Sequence, residues 1–128
     1  MVLDNGLTVE GAMNGILLHT DTATKLPDLA KLFFENRADA VIIRERGLPK
    51  GIVTPTDIIR GLVKTEKDLK DVQASDIMSS PIVSIERHEG LSLARSIMLD
   101  TGKRKLAVKK DYDIVGLIVE TDILRRMG

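Results

Sequence analysis

The sequence predicts a protein of the α/β (α+β) class, built from two βαββα repeats packed sheet to sheet with pseudo-two-fold symmetry. The first observation is the segment Gly51-Ile52-Val53-Thr54-Pro55-Thr56-Asp57, an apolar strand followed by a Thr- and Asp-containing turn of the type that begins a helix. The second is the segment 116–122, which repeats it at an offset of 65 residues. The third is size, because a unit of roughly 55 residues buries too little surface to be stable alone.

Identical residues at one constant offset indicate that the chain contains an internal duplication. A period of this size in two copies is typical of a duplicated domain rather than of a solenoid. The pairs at the offset of 65 are Met13/Met78, Gly51/Gly116, Thr56/Thr121, Asp57/Asp122 and Arg60/Arg125.

The first repeat is predicted over residues 1–64, with a polar lead-in at 1–6. Thr20-Asp21-Thr22 offers helix-capping side chains, and Pro27 suits the first turn of the amphipathic helix that follows. The predicted elements are a helical turn at 7–13, a strand at 16–18, a helix to Asn36, strands at 40–43 and 51–53 around turn residues 47–50, and a helix from Thr54 to Lys64.

Residues 65–73 are charged and lack a sustained apolar period, which predicts a linker between the repeats. The second repeat, residues 74–128, then follows the same order. Its predicted elements are a short helix at 75–78, a strand at 81–85, a helix carrying Leu91, Ala94, Ile97 and Met98 on one face, strands at 106–108 and 115–119 around a turn at 111–113, and a helix at 122–127.

Composition favours a soluble, cytoplasmic binding protein. The chain has no cysteine, no long apolar run and no signal peptide at its start. Each half carries equal numbers of acidic and basic residues, and only three aromatic residues occur, so nucleic-acid binding is disfavoured. No nucleophile elbow, Walker loop or zinc-protease motif is present, and His19 and His88 stand alone, so neither an enzyme nor a metal site is predicted.

Two motifs together carry a family resemblance. The segment Asp76-Ile77-Met78-Ser79-Ser80-Pro81-Ile82-Val83 resembles the opening of a CBS domain, and Gly51-x-x-Thr54-x-x-Asp57 resembles that family's ribose-binding signature. Because both motifs occur in order in a duplicated chain, it is identified as a tandem CBS pair, or Bateman module. The resemblance implies a non-catalytic regulatory module that binds AMP, ADP, ATP or S-adenosylmethionine, forms a homodimer of CBS pairs and signals to an unknown regulated protein.

The resemblance also implies the residues of a first ligand site. The Asp57 carboxylate would accept hydrogen bonds from the ribose hydroxyls, as an acidic residue does in dinucleotide-binding folds. The Thr hydroxyl and the N–H groups at the helix start suit a phosphate, as do basic residues from the other repeat. The predicted ribose and phosphate contacts are Thr54, Thr56, Asp57, Arg104 and Lys105, and the predicted adenine-lining residues are Ile52, Ser80, Ile82 and Val83.

A second, weaker site is predicted around Asp122. Val119 stands where the hydroxyl of the signature belongs, and Asp39 precedes the strand that would face a phosphate there. The ligand is therefore expected at Asp57. The residues predicted for the weaker site are Gly15, Ile16, Leu17, Leu117, Thr121 and Asp122.

Three plainer interpretations stay open on the sequence. Thr54 and Asp57 could act as helix caps only, and Lys103-Arg104-Lys105 could be an ordinary solvated turn. The alternative function is a structural dimerisation or adaptor module whose ligand clefts are vestigial.

Overall fold

The computed structural model describes residues 7–127, except for the side chain of Met127, so the predicted lead-in at 1–6 lies outside the described residues. The helices and strands follow one another in the predicted order, with an additional 3-10 helix in the predicted linker. The elements are α1 Val9–Ala12, β1 Leu18–Asp21, α2 Leu26–Asn36, β2 Val41–Glu45, β3 Leu48–Val53, α3 Pro55–Lys64, a 3-10 helix Leu69–Asp71, α4 Ala74–Ile77, β4 Ser84–Glu86, α5 Leu91–Thr101, β5 Lys105–Lys110, β6 Asp113–Val119 and α6 Glu120–Met127.

The chain divides into two compact units, which we call the Asp57 unit (residues 17–82) and the Asp122 unit (residues 1–16 with 83–128). Each unit has one three-stranded sheet, β1-β2-β3 or β4-β5-β6. In each sheet the first pair of strands is parallel and the second antiparallel. The short opening helix of each sequence repeat belongs to the unit formed by the rest of the other repeat, so α4 lies in the Asp57 unit and α1 in the Asp122 unit.

Irregular backbone positions show the same duplication as the sequence. Both antiparallel pairs shift register at matching points, between Ile43 and Arg44 and between Val108 and Lys109. Helices α2 and α5 both end on a left-handed residue, Arg37 in one and Gly102 in the other. These features lie 65 residues apart, as the repeated motifs do. The α+β fold class and its two matching repeats are thus confirmed.

Each unit has its own apolar core between its sheet and helices. Aliphatic side chains dominate both cores, as expected for strands rich in Ile, Val and Leu. The buried core of the Asp57 unit consists of Leu26, Leu29, Val41, Ile43, Val53, Val72, Ala74 and Ile77. That of the Asp122 unit consists of Val9, Ala12, Ile85, Leu91, Ala94, Met98, Leu106, Val108, Ile118 and Ile123.

The start of β1 differs from the prediction. The strand begins at Leu18 rather than at Ile16, whose side chain is 84% exposed. The Thr20–Thr22 segment does not cap α2, because Asp21 Oδ1 accepts a hydrogen bond from Ala23 N at 2.7 Å and the Thr20 hydroxyl pairs with that of Thr24. The helix instead starts after Lys25, which makes no side-chain cap.

Two further strand boundaries also differ from the prediction. The turn before β3 is limited to Arg46 and Gly47, both of which have a positive φ, so that pairing with β2 resumes at Leu48. Strand β4 occupies Ser84–Glu86 rather than 81–85, because its pairing with β5 begins only at Ser84.

The predicted linker is packed as part of the Asp57 unit. Val72 is fully buried in its core, although the surrounding residues are charged. Lys67 Nζ donates to both carboxylate oxygens of Asp76, at 3.0 and 2.9 Å, and the Gln73 N–H donates to one of them at 2.8 Å. The Gln73 N–H is the main cause of a lowered pKa for Asp76, and the hydrogen bond from Lys67 adds to it.

Candidate functional site

Asp57 lies at the third position of α3 and completes a capping box with Thr54, the N-cap residue. One carboxylate oxygen, Oδ2, accepts hydrogen bonds from the backbone N–H of Thr54 at 2.8 Å and from its hydroxyl at 3.0 Å. The Thr54 hydroxyl in turn accepts from Asp57 N at 3.4 Å. Oδ2 thus supplies the bond that a helix start requires.

The second oxygen of Asp57, Oδ1, has no part in the cap. It accepts a hydrogen bond from the Ser79 hydroxyl at 2.8 Å and one from Arg60 Nη1 at 3.2 Å. Asp57 is only 4% exposed and is the one buried polar residue in the described part of the chain. A buried carboxylate requires such partners, because an unpaired charge at this depth would be costly.

Ser79 is held in place by the strand that precedes the capped helix. Its backbone N–H and C=O bond to the C=O and N–H of Ile52, at 2.8 and 3.0 Å. The strand can lie this close only because residue 51 is glycine, since a Cβ there would lie 2.6 Å from Met78 Sδ and 2.9 Å from Ser79 O. The repeated Gly and Met residues therefore have a packing role.

The other residues predicted for the first site are divided between the two units. Thr56 is exposed at the second position of α3, and Ser80 is exposed with its hydroxyl donating to Lys50 O at 3.0 Å. Ile52 and Ile82 are half-buried in the same unit, whereas Val83, Arg104 and Lys105 belong to the Asp122 unit. The Arg104 side chain is 85% exposed, with its Nε 3.8 Å from Glu120 Oε2.

The Asp122 unit also places a carboxylate near the start of a helix, but this carboxylate is more exposed to solvent than that of Asp57. The Asp122 side chain is 24% exposed, and its Oδ1 accepts a bond from Arg125 Nη1 at 3.4 Å. Val119 offers no hydroxyl to cap α6. Asn14 takes the place of Ser79 and pairs with Leu117 through both backbone groups, but its side-chain oxygen accepts from Ile16 N.

The remaining residues predicted for the weaker site differ in exposure. Leu117 is buried, whereas Gly15, Ile16 and Thr121 are exposed. Leu17 belongs to the other unit. The part each residue plays in ligand binding stays a prediction.

Sequence reasoning missed two of the groups that contact Asp57. Arg60 appears in the sequence only as one of the repeated pairs, and its spacing of three residues from Asp57 places the two side chains on one helix face. Ser79 is not repeated, since asparagine occupies the matching position, so no duplication signal identifies it.

The described residues provide neither a helix able to span a membrane nor a metal cluster. No helix within residues 7–127 combines the length and apolarity that a bilayer requires. No group of three or more His, Cys, Asp or Glu side chains in that range is placed to hold a metal ion.

Fold and site together define a tandem-repeat module, in which each unit places an acidic residue at the start of a helix. The profile of the CBS domain matches residues 9–64 and 74–128. The chain therefore belongs to the CBS domain family, as a tandem pair, and the predicted family is confirmed. CBS domain proteins are generally regulatory, and many bind adenosine-containing ligands.

Relatives with curated sequences include two archaeal proteins without a described function. One, from Methanopyrus kandleri, is 29% identical over 117 residues, covering 91% of this chain and 60% of that protein. The other, from Methanocaldococcus jannaschii, is 38% identical over 98 residues, covering 77% and 50% respectively. This chain thus spans half to three fifths of their lengths.

Among solved structures, the chain is similar to a hexameric CBS-CP12 protein from bloom-forming cyanobacteria. The TM-score is 0.83 at 26% identity, and the match covers 92% of this chain and 66% of that one.

Proposed function

We propose that this chain is a non-catalytic regulatory module that binds an adenosine-containing ligand, AMP, ADP, ATP or S-adenosylmethionine, with the ribose on Asp57. We further propose a cytoplasmic location and an unknown regulated protein as partner. Ligand binding would regulate that partner if the ligand prefers one of two arrangements of the module.

The observation that carries the proposal is the second oxygen of Asp57. A helix cap requires only Oδ2, yet Oδ1 is also buried and also held, by Ser79 and Arg60. A buried carboxylate oxygen that takes no part in the cap suits a vicinal diol, whose two O–H groups can donate to one carboxylate. The plain capping interpretation accounts for Oδ2 alone.

The other contacts in this proposal come from the remaining residues predicted for the first site. The exposed Thr56 and the N-terminus of α3 suit a phosphate, with Arg104 and Lys105 as further cationic contacts. Ile52, Ser80, Ile82 and Val83 would line the adenine. The Asp122 site is proposed to be the weaker one, because its carboxylate is more exposed and the hydroxyl at Val119 is missing.

Isothermal titration of AMP, ADP, ATP and S-adenosylmethionine tests this assignment. We expect Asp57→Asn, which keeps the side-chain shape, to reduce affinity at least tenfold, since an amide offers one acceptor oxygen instead of two. The matched variant Asp122→Asn should retain the main binding event. Equal loss in both variants, or loss in Asp122→Asn alone, would contradict the assignment, and circular dichroism would verify that both variants fold.

A structural dimerisation or adaptor module is the second candidate, and exposed apolar side chains favour it. Helix α3 exposes Ile59, Leu62 and Val63, while α5 and α6 expose Leu93, Leu99 and Leu124. Apolar groups of this kind mark protein interfaces when they are contiguous. A homodimer of CBS pairs is compatible with either function.

Excess absorbance at 260 nm after purification would indicate retained nucleotide and favour the regulatory function, whereas a stable dimer that binds none of the four ligands would favour the adaptor.

A further inference from the structure

The acceptor capacity of the Asp57 carboxylate is already in use. An ionised carboxylate has two oxygens with about four lone-pair positions. Asp57 accepts from the Thr54 N–H and hydroxyl at Oδ2, and from Ser79 and Arg60 at Oδ1. A ribose diol brings two further donors. Both hydroxyls can bind Asp57 only if two of the present donors leave or turn away.

The four donors differ in how firmly they are held. Both Thr54 groups belong to the capping box of α3, so their release would disrupt the helix start. Ser79 is fixed by its two backbone bonds to Ile52, although its hydroxyl can rotate in place and accept instead of donate. The Arg60 side chain is 50% exposed and rests on the carboxylate through one hydrogen bond of 3.2 Å. It is the donor that can leave at least cost.

We propose that Arg60 is a latch on the ligand site, closed in this structure by its ion pair with Asp57 Oδ1, and that the ligand's diol must displace its guanidinium. This inference rests on the proposed function. A long arginine side chain on the first turns of a helix points back over the helix start. Once displaced, the guanidinium is therefore placed to pair with a phosphate bound near Thr54 and Thr56.

The latch makes a prediction that depends on whether the ligand carries a phosphate. Adenosine gains nothing from the displaced arginine and must compete with it. For Arg60→Ala we therefore expect adenosine to bind about 1.5- to fivefold more tightly than to the wild type, the range typical of a partly exposed ion pair. AMP recovers the interaction through its phosphate, so its affinity should rise less or fall. The ratio of AMP to adenosine affinity should drop in the variant.

Calorimetric titration of adenosine and AMP into wild type, Arg60→Ala and Arg125→Ala measures that ratio. Arg125→Ala is the matched control, because it removes the equivalent arginine from Asp122 and leaves the Asp57 site intact. It should reproduce the wild-type affinities. Arg60→Ala should fold normally, since half of the side chain is in solvent, and its thermal melt would verify this.

The outcomes separate the latch from other roles of Arg60. If Arg60→Ala weakens both ligands, the arginine positions Asp57 for binding, and the latch is overturned. If it weakens AMP and leaves adenosine unchanged, Arg60 is a phosphate contact only, which also overturns the latch. Binding of adenosine to Arg60→Ala but not to the wild type would support it. If none of these proteins binds adenosine or AMP, the latch fails; the proposed function fails as well only if ADP, ATP and S-adenosylmethionine also do not bind.

Discussion

At the scale of single residues, the two oxygens of Asp57 have separate roles. Oδ2 stabilises the start of α3 together with Thr54, and Oδ1 is held between a fixed serine and a displaceable arginine. The same side chain thus contributes to folding and, in the proposed function, to ligand binding. Substitutions at Asp57 will consequently affect stability as well as binding, and a binding loss is informative only when folding is measured alongside it.

Gly51 is the residue whose substitution should disturb this site without touching the carboxylate. For Gly51→Ala we expect a loss of about 1–3 kcal/mol in the free energy of unfolding, because the added methyl group would lie 2.9 Å from the Ser79 backbone oxygen. Denaturant unfolding measures this. Gly11→Ala, whose Cβ would lie 3.7 Å from Thr8 Oγ1, is the control and should cost nothing. Equal stability of the two variants would contradict the close approach.

The Thr54–Asp57 pair could be predicted from the sequence because capping is local: both partners lie within three residues of each other. The bond from Ser79 could not, because 22 residues separate the partners and the contact depends on how α4 packs against β3. Arg60 was visible as a repeated residue, but repetition alone does not distinguish a surface arginine from one that pairs with the site.

At the scale of elements, the segment between the repeats is part of the Asp57 unit. Its charged composition predicts a linker, and its two apolar residues, Leu69 and Val72, are too few to form a period. The 3-10 helix Leu69–Asp71 packs near α2, and α4 follows directly. The approach of α4 to β3 places Ser79 at Asp57, so the segment contributes to the site it precedes.

Burial of Val72 gives a stability prediction. Val72→Ala should lower the free energy of unfolding by about 1–3 kcal/mol, because it removes two buried methyl groups and leaves a cavity. Val63→Ala is the matched control, since that side chain is 79% exposed, and it should change stability by less than about 0.5 kcal/mol. A Val72 variant as stable as the control would show that the segment is not packed.

Asp76 at the start of α4 gives a prediction for pH. Its folded-state pKa is lowered below 3.8, so the native state favours the charged form. The stability that this carboxylate contributes to the fold is fully present well above that pH. The contribution is lost as the pH falls through the lowered pKa. We expect Asp76→Asn to be less stable than wild type at neutral pH, with a difference that shrinks below about pH 4. Thermal melts from pH 3 to 7 would measure it; a constant difference would contradict this assignment.

At the scale of the whole molecule, the duplication determines the fold, and the proposed function depends on the differences between the two copies. The repeated pairs predicted two equivalent sheets, and the matching bulges and helix ends agree with that prediction. The pairing of each opening helix with the other repeat's sheet was not predictable, because the sequence order is compatible with either arrangement. The departures from symmetry, at Val119 and Asn14, are the reason for proposing Asp57 as the stronger ligand site.

The most direct test of the central claim is a crystal structure of the chain grown with AMP. The account predicts that the ribose hydroxyls donate to Asp57 Oδ1, that Arg60 has left that oxygen, and that Thr54 still binds Oδ2. AMP bound only at Asp122, or bound elsewhere while Arg60 still pairs with Asp57, would contradict it.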